Sequence, residues 1–107
     1  MSVMEENQIL QNLLSNGILL VGRRIKPLCL GSFSQLTNPQ RSDLNQKLLE
    51  LNTLLASYNT LEFNYGDHKI TLYKLPANIF LGTYDSPKLE PHILERLIPR
   101  IKELTKN

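Results

Sequence analysis

Chemistry in this 107-residue chain would have to come from one cysteine, two histidines and ten carboxylates. Cys29 stands between Leu28 and Leu30 in an apolar run with no cation placed to stabilise a thiolate, so it reads as a buried structural thiol. A single cysteine also excludes an internal disulfide and any multi-cysteine metal site. His68 falls in a turn and His92 in the first turn of a helix. Neither has a second ligand at metal-binding spacing, and the Asp67-His68 neighbours in a turn do not converge on one ion, so both read as surface histidines. Gly22 and Gly31 stand alone, which leaves no phosphate-cradling loop, and no nucleophile elbow is present. Glu50, Glu90, Glu95 and Glu103 sit on helix faces as solvated charges rather than as an acid/base pair. The expectation is a non-enzymatic protein without cofactor or metal. An enzyme built on Cys29 or His68, with partners gathered only by folding, is the competing reading.

The most eccentric local feature is the basic run Arg23-Arg24-Ile25-Lys26. Its plain reading is a solvated hairpin tip. Its functional reading is an electrostatic contact for an acidic partner. Twelve Lys+Arg against ten Asp+Glu leave a net charge of only +2, and aromatics are 7% with none interleaved among these cations. That disfavours nucleic acid, which remains a weak alternative through Arg23, Arg24 and Lys26.

The elements that must position these residues follow from composition and periodicity. With 41% hydrophobic and 21% charged residues the chain is globular, and 107 residues make one domain, residues 1–107. No apolar run approaches the roughly 18 residues that cross a bilayer. The acidic start, with Glu5 and Glu6, is opposite to a secretory leader. With one unpaired thiol the expected compartment is the cytoplasm.

Residues 4–16 read as a helix with an apolar stripe of Ile9, Leu10, Leu13 and Leu14, stopped by Gly17. Residues 18–22 are a short continuous apolar strand, followed by a hairpin tip over 23–27 and a second apolar strand from Leu28 towards Phe33, with Pro27 marking an edge. Residues 32–41 read as a polar surface connection. Ser42 or Asp43 then caps a helix over 44–58 whose stripe is Leu44, Leu48, Leu51, Leu55 and Tyr58, widened by Leu49 and Leu54. Leu61, Phe63 and Tyr65 alternate with Thr60, Glu62 and Asn64 in the clearest strand of the chain. Gly66-Asp67-His68 turns into a strand through residue 75, and Pro76-Ala77-Asn78 turns into the most apolar strand, 79–84, expected at the sheet centre. Asp85 or Ser86 is the expected cap of the closing helix. Its stripe is Ile93, Leu97, Ile101 and Leu104, with Leu94 and Ile98 beside it and a bend at Pro99.

The order α-β-β-α-β-β-β-α resembles the roadblock/LC7 superfamily, which includes bacterial regulators of small GTPases of the MglB type. The residues that carry the resemblance are the Gly17 stop with Ile18-Leu19-Leu20-Val21 after it, the charged hairpin from Arg23 through Pro27-Leu28, and the strands from Ile70 to Tyr84 before the last helix. Arg23-Arg24-Ile25-Lys26 departs from that family's Asp-Gly type of turn, and Pro99 interrupts its final helix. The resemblance implies an α+β fold: a five-stranded antiparallel sheet with helices on both faces, the first and last on one and the middle one on the other. It also implies that the strand over 60–65 lies at an edge and pairs with its copy in a second chain.

The function expected is a homodimeric adaptor or assembly chaperone that binds a partner protein, for example of the carboxysome-assembly type, or alternatively a regulator of a small GTPase. Dimer contacts are expected at Leu49, Leu54, Leu61, Phe63 and Tyr65. Partner contacts are expected at Arg23, Arg24, Lys26, Leu28, Leu30 and Phe33. There the second sheet edge would accept a short peptide, beside a connection able to move and a groove opened by the Pro99 bend.

Overall fold

The computed structural model of the protein describes residues 3–54 and 59–103. Its elements run α1 (Val3–Asn16), β1 (Gly17–Gly22), β2 (Ile25–Gly31), α2 (Asn38–Leu54), β3 (Thr60–Tyr65), β4 (His68–Leu75), β5 (Ile79–Tyr84) and α3 (Pro91–Glu103). Short 3-10 turns lie at Ser32–Gln35 and Pro76–Asn78. The fold is α+β, with a five-stranded sheet ordered β2-β1-β5-β4-β3 and every pairing antiparallel. Among the described residues no helix is long and apolar enough to cross a membrane.

Side chains of a strand alternate between faces, and here the two sets build two cores. Ile18 and Leu20 of β1, Ile79 and Leu81 of β5, and Tyr73 and Leu75 of β4 pack with Leu10 and Leu13 of α1 and Leu94, Leu97 and Ile101 of α3. Leu19, Phe80, Tyr84, Ile70 and Leu72 point the other way and pack with Leu44 and Leu51 of α2 and with Phe33 and Leu36. β5 is buried at all six positions, which is why its sequence is a continuous apolar run. Glu6 ties the two helices of the first face together: Arg96 and Arg100 of α3 reach its carboxylate at 3.1 and 3.4 Å.

Gly17 and Gly31 face each other in the β1–β2 ladder. A Cβ on Gly31 would stand 2.7 Å from Gly17 Cα, and one on Gly17 would stand 2.8 Å from Ser32 N. Gly17 breaks α1 as expected, at φ 139 and already inside β1 rather than as a left-handed cap.

Several expected boundaries move. α2 begins at Asn38, not after Ser42 or Asp43, because Thr37 caps it. Gln40 N–H donates to Thr37 Oγ1 (3.3 Å), and Thr37 N–H donates to Gln40 Oε1 (2.9 Å), a reciprocal capping box. The polar connection is therefore packed rather than movable. Arg41 of α2 donates to the carbonyls of Leu36 and Ser34 at 3.2 and 3.0 Å. Phe33 sits in the first 3-10 turn, only 1% exposed, with its ring edge-on to Tyr84 at 5.4 Å. It is not on the edge strand, so its expected partner contact is replaced by a core role.

The first hairpin tip is Arg23-Arg24 alone, with Lys26 and Pro27 inside β2. Two β2 residues there oppose the single Val21, a bulge that takes up the splay of a turn lacking positive φ. The second hairpin loop is Gly66-Asp67, with Gly66 at φ 62. α3 starts at Pro91 rather than near Asp85, because residues 85–90 are spent fastening β5 to β4 and burying Leu89. The helix continues across Pro99 to Glu103, held by buried Leu97 and Ile101 on either side. Leu55, Tyr58 and Leu104 of the expected stripes lie outside the described residues.

Phe33→Ala is expected to cost about 3–5 kcal/mol of stability, since it empties a core site over the sheet. Urea unfolding checks this; a loss under about 0.5 kcal/mol, as for an exposed residue, would contradict the placement.

Candidate partner-binding site

The sheet ends in two edge strands, β3 and β2, and among the described residues no further strand pairs with either. In β3, the two-residue loop makes Tyr65 and His68 the closing hydrogen-bonded pair. Alternation then directs the amides of Tyr65, Phe63 and Leu61 at β4, and those of Asn64, Glu62 and Thr60 outward. No proline or bulge interrupts this strand. Leu61, Phe63 and Tyr65 are half-buried against the α2 face. Lys47 Nζ of α2 lies 4.8 Å from the centroid of the Phe63 ring, and the Tyr65 hydroxyl donates to Gln40 O at 2.8 Å. Burial first, and the nearby Asp43 carboxylate second, push the Tyr65 phenol pKa up and keep it neutral. These three side chains therefore serve the chain's own core, while the outward backbone of β3 is what the edge offers. Leu49 on α2 is 59% exposed, whereas the Leu54 side chain lies outside the described residues.

The six residues expected at the partner site are not brought together. Leu28 is half-buried against the core beneath α1 and α3, Leu30 is half-buried, and Lys26 is exposed. Cys29 points to the opposite face and is half-buried rather than buried, because β2 has no outer neighbour to cover it. It lines a groove of about 260 Å³ with Pro27, Val21 and Leu48, floored by Phe33. This groove lies between β2 and α2. Arg23 and Arg24 are not among its lining residues and line a different cleft with Lys102.

The periodicity arguments missed one polar arrangement. His68 Nδ1 lies 2.7 Å from Asp85 Oδ2, and Lys69 N–H donates to Asp85 Oδ1 at 2.7 Å. Asp85 N–H donates to Lys69 O at 2.8 Å, so Asp85 extends the β4–β5 ladder past its last pair. Asp85 adopts φ 51 to do so, a conformation Asp tolerates. The register of the β4–β5 pair was the available signal: with Ile70 opposite Tyr84, Lys69 falls opposite Asp85 and His68 one residue beyond, within side-chain reach. His92 is exposed at the start of α3, as are Glu50, Glu95 and Glu103 on their helix faces, while Glu90, expected on a helix, is exposed just before α3. Among the described residues no group of three or more His, Cys, Asp or Glu is placed to hold a metal ion.

No protein-family model matches the chain, and no curated protein matches it.

The His68 hydrogen bond, and then the Lys69 amide, hold the Asp85 carboxyl pKa below its ordinary value. A carboxyl lowered in the folded state stabilises the fold above its unfolded pKa and loses that contribution as pH falls through the folded value. The difference in thermal midpoint between the natural protein and Asp85→Ala is therefore expected to be largest near neutrality and to shrink on acidification below about pH 4. A difference independent of pH would contradict this role.

Proposed function

We propose that the protein is a non-enzymatic, homodimeric adaptor or assembly chaperone of the roadblock type, pairing with its copy through β3 and taking a partner's segment at β2. The roadblock reading is supported by α1 and α3 sharing one sheet face, α2 covering the other, and β3 lying at an edge. The observation that carries the dimer is the uninterrupted outer side of β3. A regular strand with free amides and carbonyls at Thr60, Glu62 and Asn64 is a template for another strand, and natural sheets cover or interrupt such edges. β2 is interrupted, by Pro27 and by its bulge; β3 is not. Two copies of β3 related by a two-fold axis would satisfy both sets of groups at once. The exposed Leu49 of α2, expected in the dimer contact, lies instead beside Val21, Arg23 and Phe80, away from β3. The groove between β2 and α2, with Cys29 and Pro27 on one wall, then stays open for a partner's apolar segment.

Glu62→Pro tests the pairing. It removes one outward amide, leaves the β3–β4 ladder its donors, and gives up only an exposed ion pair to Lys69 (3.3 Å). Light scattering is expected to give the mass of two chains for the natural protein and of one for the folded variant. A monomer in both, or a dimer in both, would contradict pairing through this edge.

A further inference from the structure

We propose that the cleft between the β1–β2 turn, the Pro76–Asn78 turn and the last turns of α3 is a binding site for a polyphosphate group. Arg23, Arg24 and Lys102 line it beside Ala77, Asn78 and Ile79, around a volume of about 370 Å³. Among the described residues that line it there is no carboxylate. Among the described residues, no ion pair joins Arg23 or Arg24 to an acidic side chain. Arg23 and Arg24 are like charges at one concavity, and an anion seated between them reverses the sign of that interaction.

The far wall adds a second observation. Ala77 and Asn78 are both left-handed, at φ 64 and 58. These successive left-handed residues belong to the tight turn that joins β4 to β5, a conformation that Asn78 tolerates and Ala77 adopts at a steric cost. Here it shapes the wall facing the arginines.

The chemistry favours phosphate. Guanidinium forks match phosphate oxygens two at a time, and an ammonium adds a point charge. Two guanidiniums, with Lys102 beside them, suit a diphosphate better than a single carboxylate. The cleft is of small-ligand size, which fits a compact anion rather than a strand or helix of a partner. Two sources share this chemistry, an inorganic pyrophosphate and a nucleoside diphosphate. Arg23 and Asn78 also line an adjoining cavity of about 500 Å³ walled by Val21, Leu48 and Phe80, where a base would lie in the second case. The site stands apart from the dimer reading and needs only the folded chain.

Calorimetry on the full chain at low ionic strength, with pyrophosphate, ADP and adenosine, tests it. Saturable binding of pyrophosphate is expected, weakened roughly tenfold or more in Arg23→Gln and in Arg24→Gln, as for a lost charge-assisted hydrogen bond. The thermal midpoint without ligand should stay unchanged in both variants. Equal affinity for ADP means that the phosphates alone are read; tighter ADP binding means that the adjoining cavity holds the nucleoside. No saturable binding of either phosphate, unchanged affinity in both variants, or adenosine binding as well as ADP would overturn the proposal.

Discussion

Everything in this fold depends on two strands that are apolar on both sides. β1 and β5 lie inside the sheet, and Ile18, Leu19, Leu20, Phe80 and Leu81 are buried above and below its plane. A sheet with such a centre must be covered twice, and a chain of this length has three helices in its described residues to do it. α1 and α3 cover one face, and α2 with the Phe33 turn covers the other. Gly82 marks how tight the second cover is. A Cβ there would stand 3.1 Å from Leu19, Leu72 and Phe33 side-chain atoms, so the central strand gives up a side chain beneath the Phe33 ring.

The covering helices are held by few polar contacts, each placed where burial alone leaves freedom. Glu6 fixes α1 against α3 through Arg96 and Arg100. The Tyr73 hydroxyl, deep under α3, accepts the Leu89 amide at 3.0 Å and fixes the path into that helix. Arg41 and Tyr65 tie the start of α2 to the first 3-10 turn and to β3. Cover therefore thins towards the sheet edges, where Cys29, Leu30 and Leu61 are only half-buried.

How much of this was legible depended on which physical signal a segment carried. Period-two alternation gave β3 its bounds to the residue, and the continuous apolar run placed β5 at the centre of the sheet. The continuous apolar run of β1 signalled burial on both faces, while the placement of the helices was implied only by the family resemblance. Capping was harder, because several polar residues compete for one role. Thr37 and Gln40 carried the capping-box spacing, yet the apolar stripe starting at Leu44 drew the helix start too late. Asp85 looked like a helix cap and instead caps a sheet ladder, since hydrogen bonds to residues 17 positions away leave no local trace. Phe33 continued an apolar strand by type but not by geometry, because Gly31 at φ 60 turns the chain away first. The cleft between Arg24 and Lys102 joins residues far apart in sequence, and only folding brings them together.

The central claim is that the outer side of β3 is occupied in solution by its own copy. Amide hydrogen exchange resolved at single residues tests it most directly, because it separates the two sides of one strand. The outward amides of Thr60, Glu62 and Asn64 are expected to be protected at concentrations where the dimer forms, and to become fast on dilution. The inward amides of Leu61, Phe63 and Tyr65 should keep more of their protection. Rapid exchange of the outward three at every concentration, with the inward three slow, would contradict it.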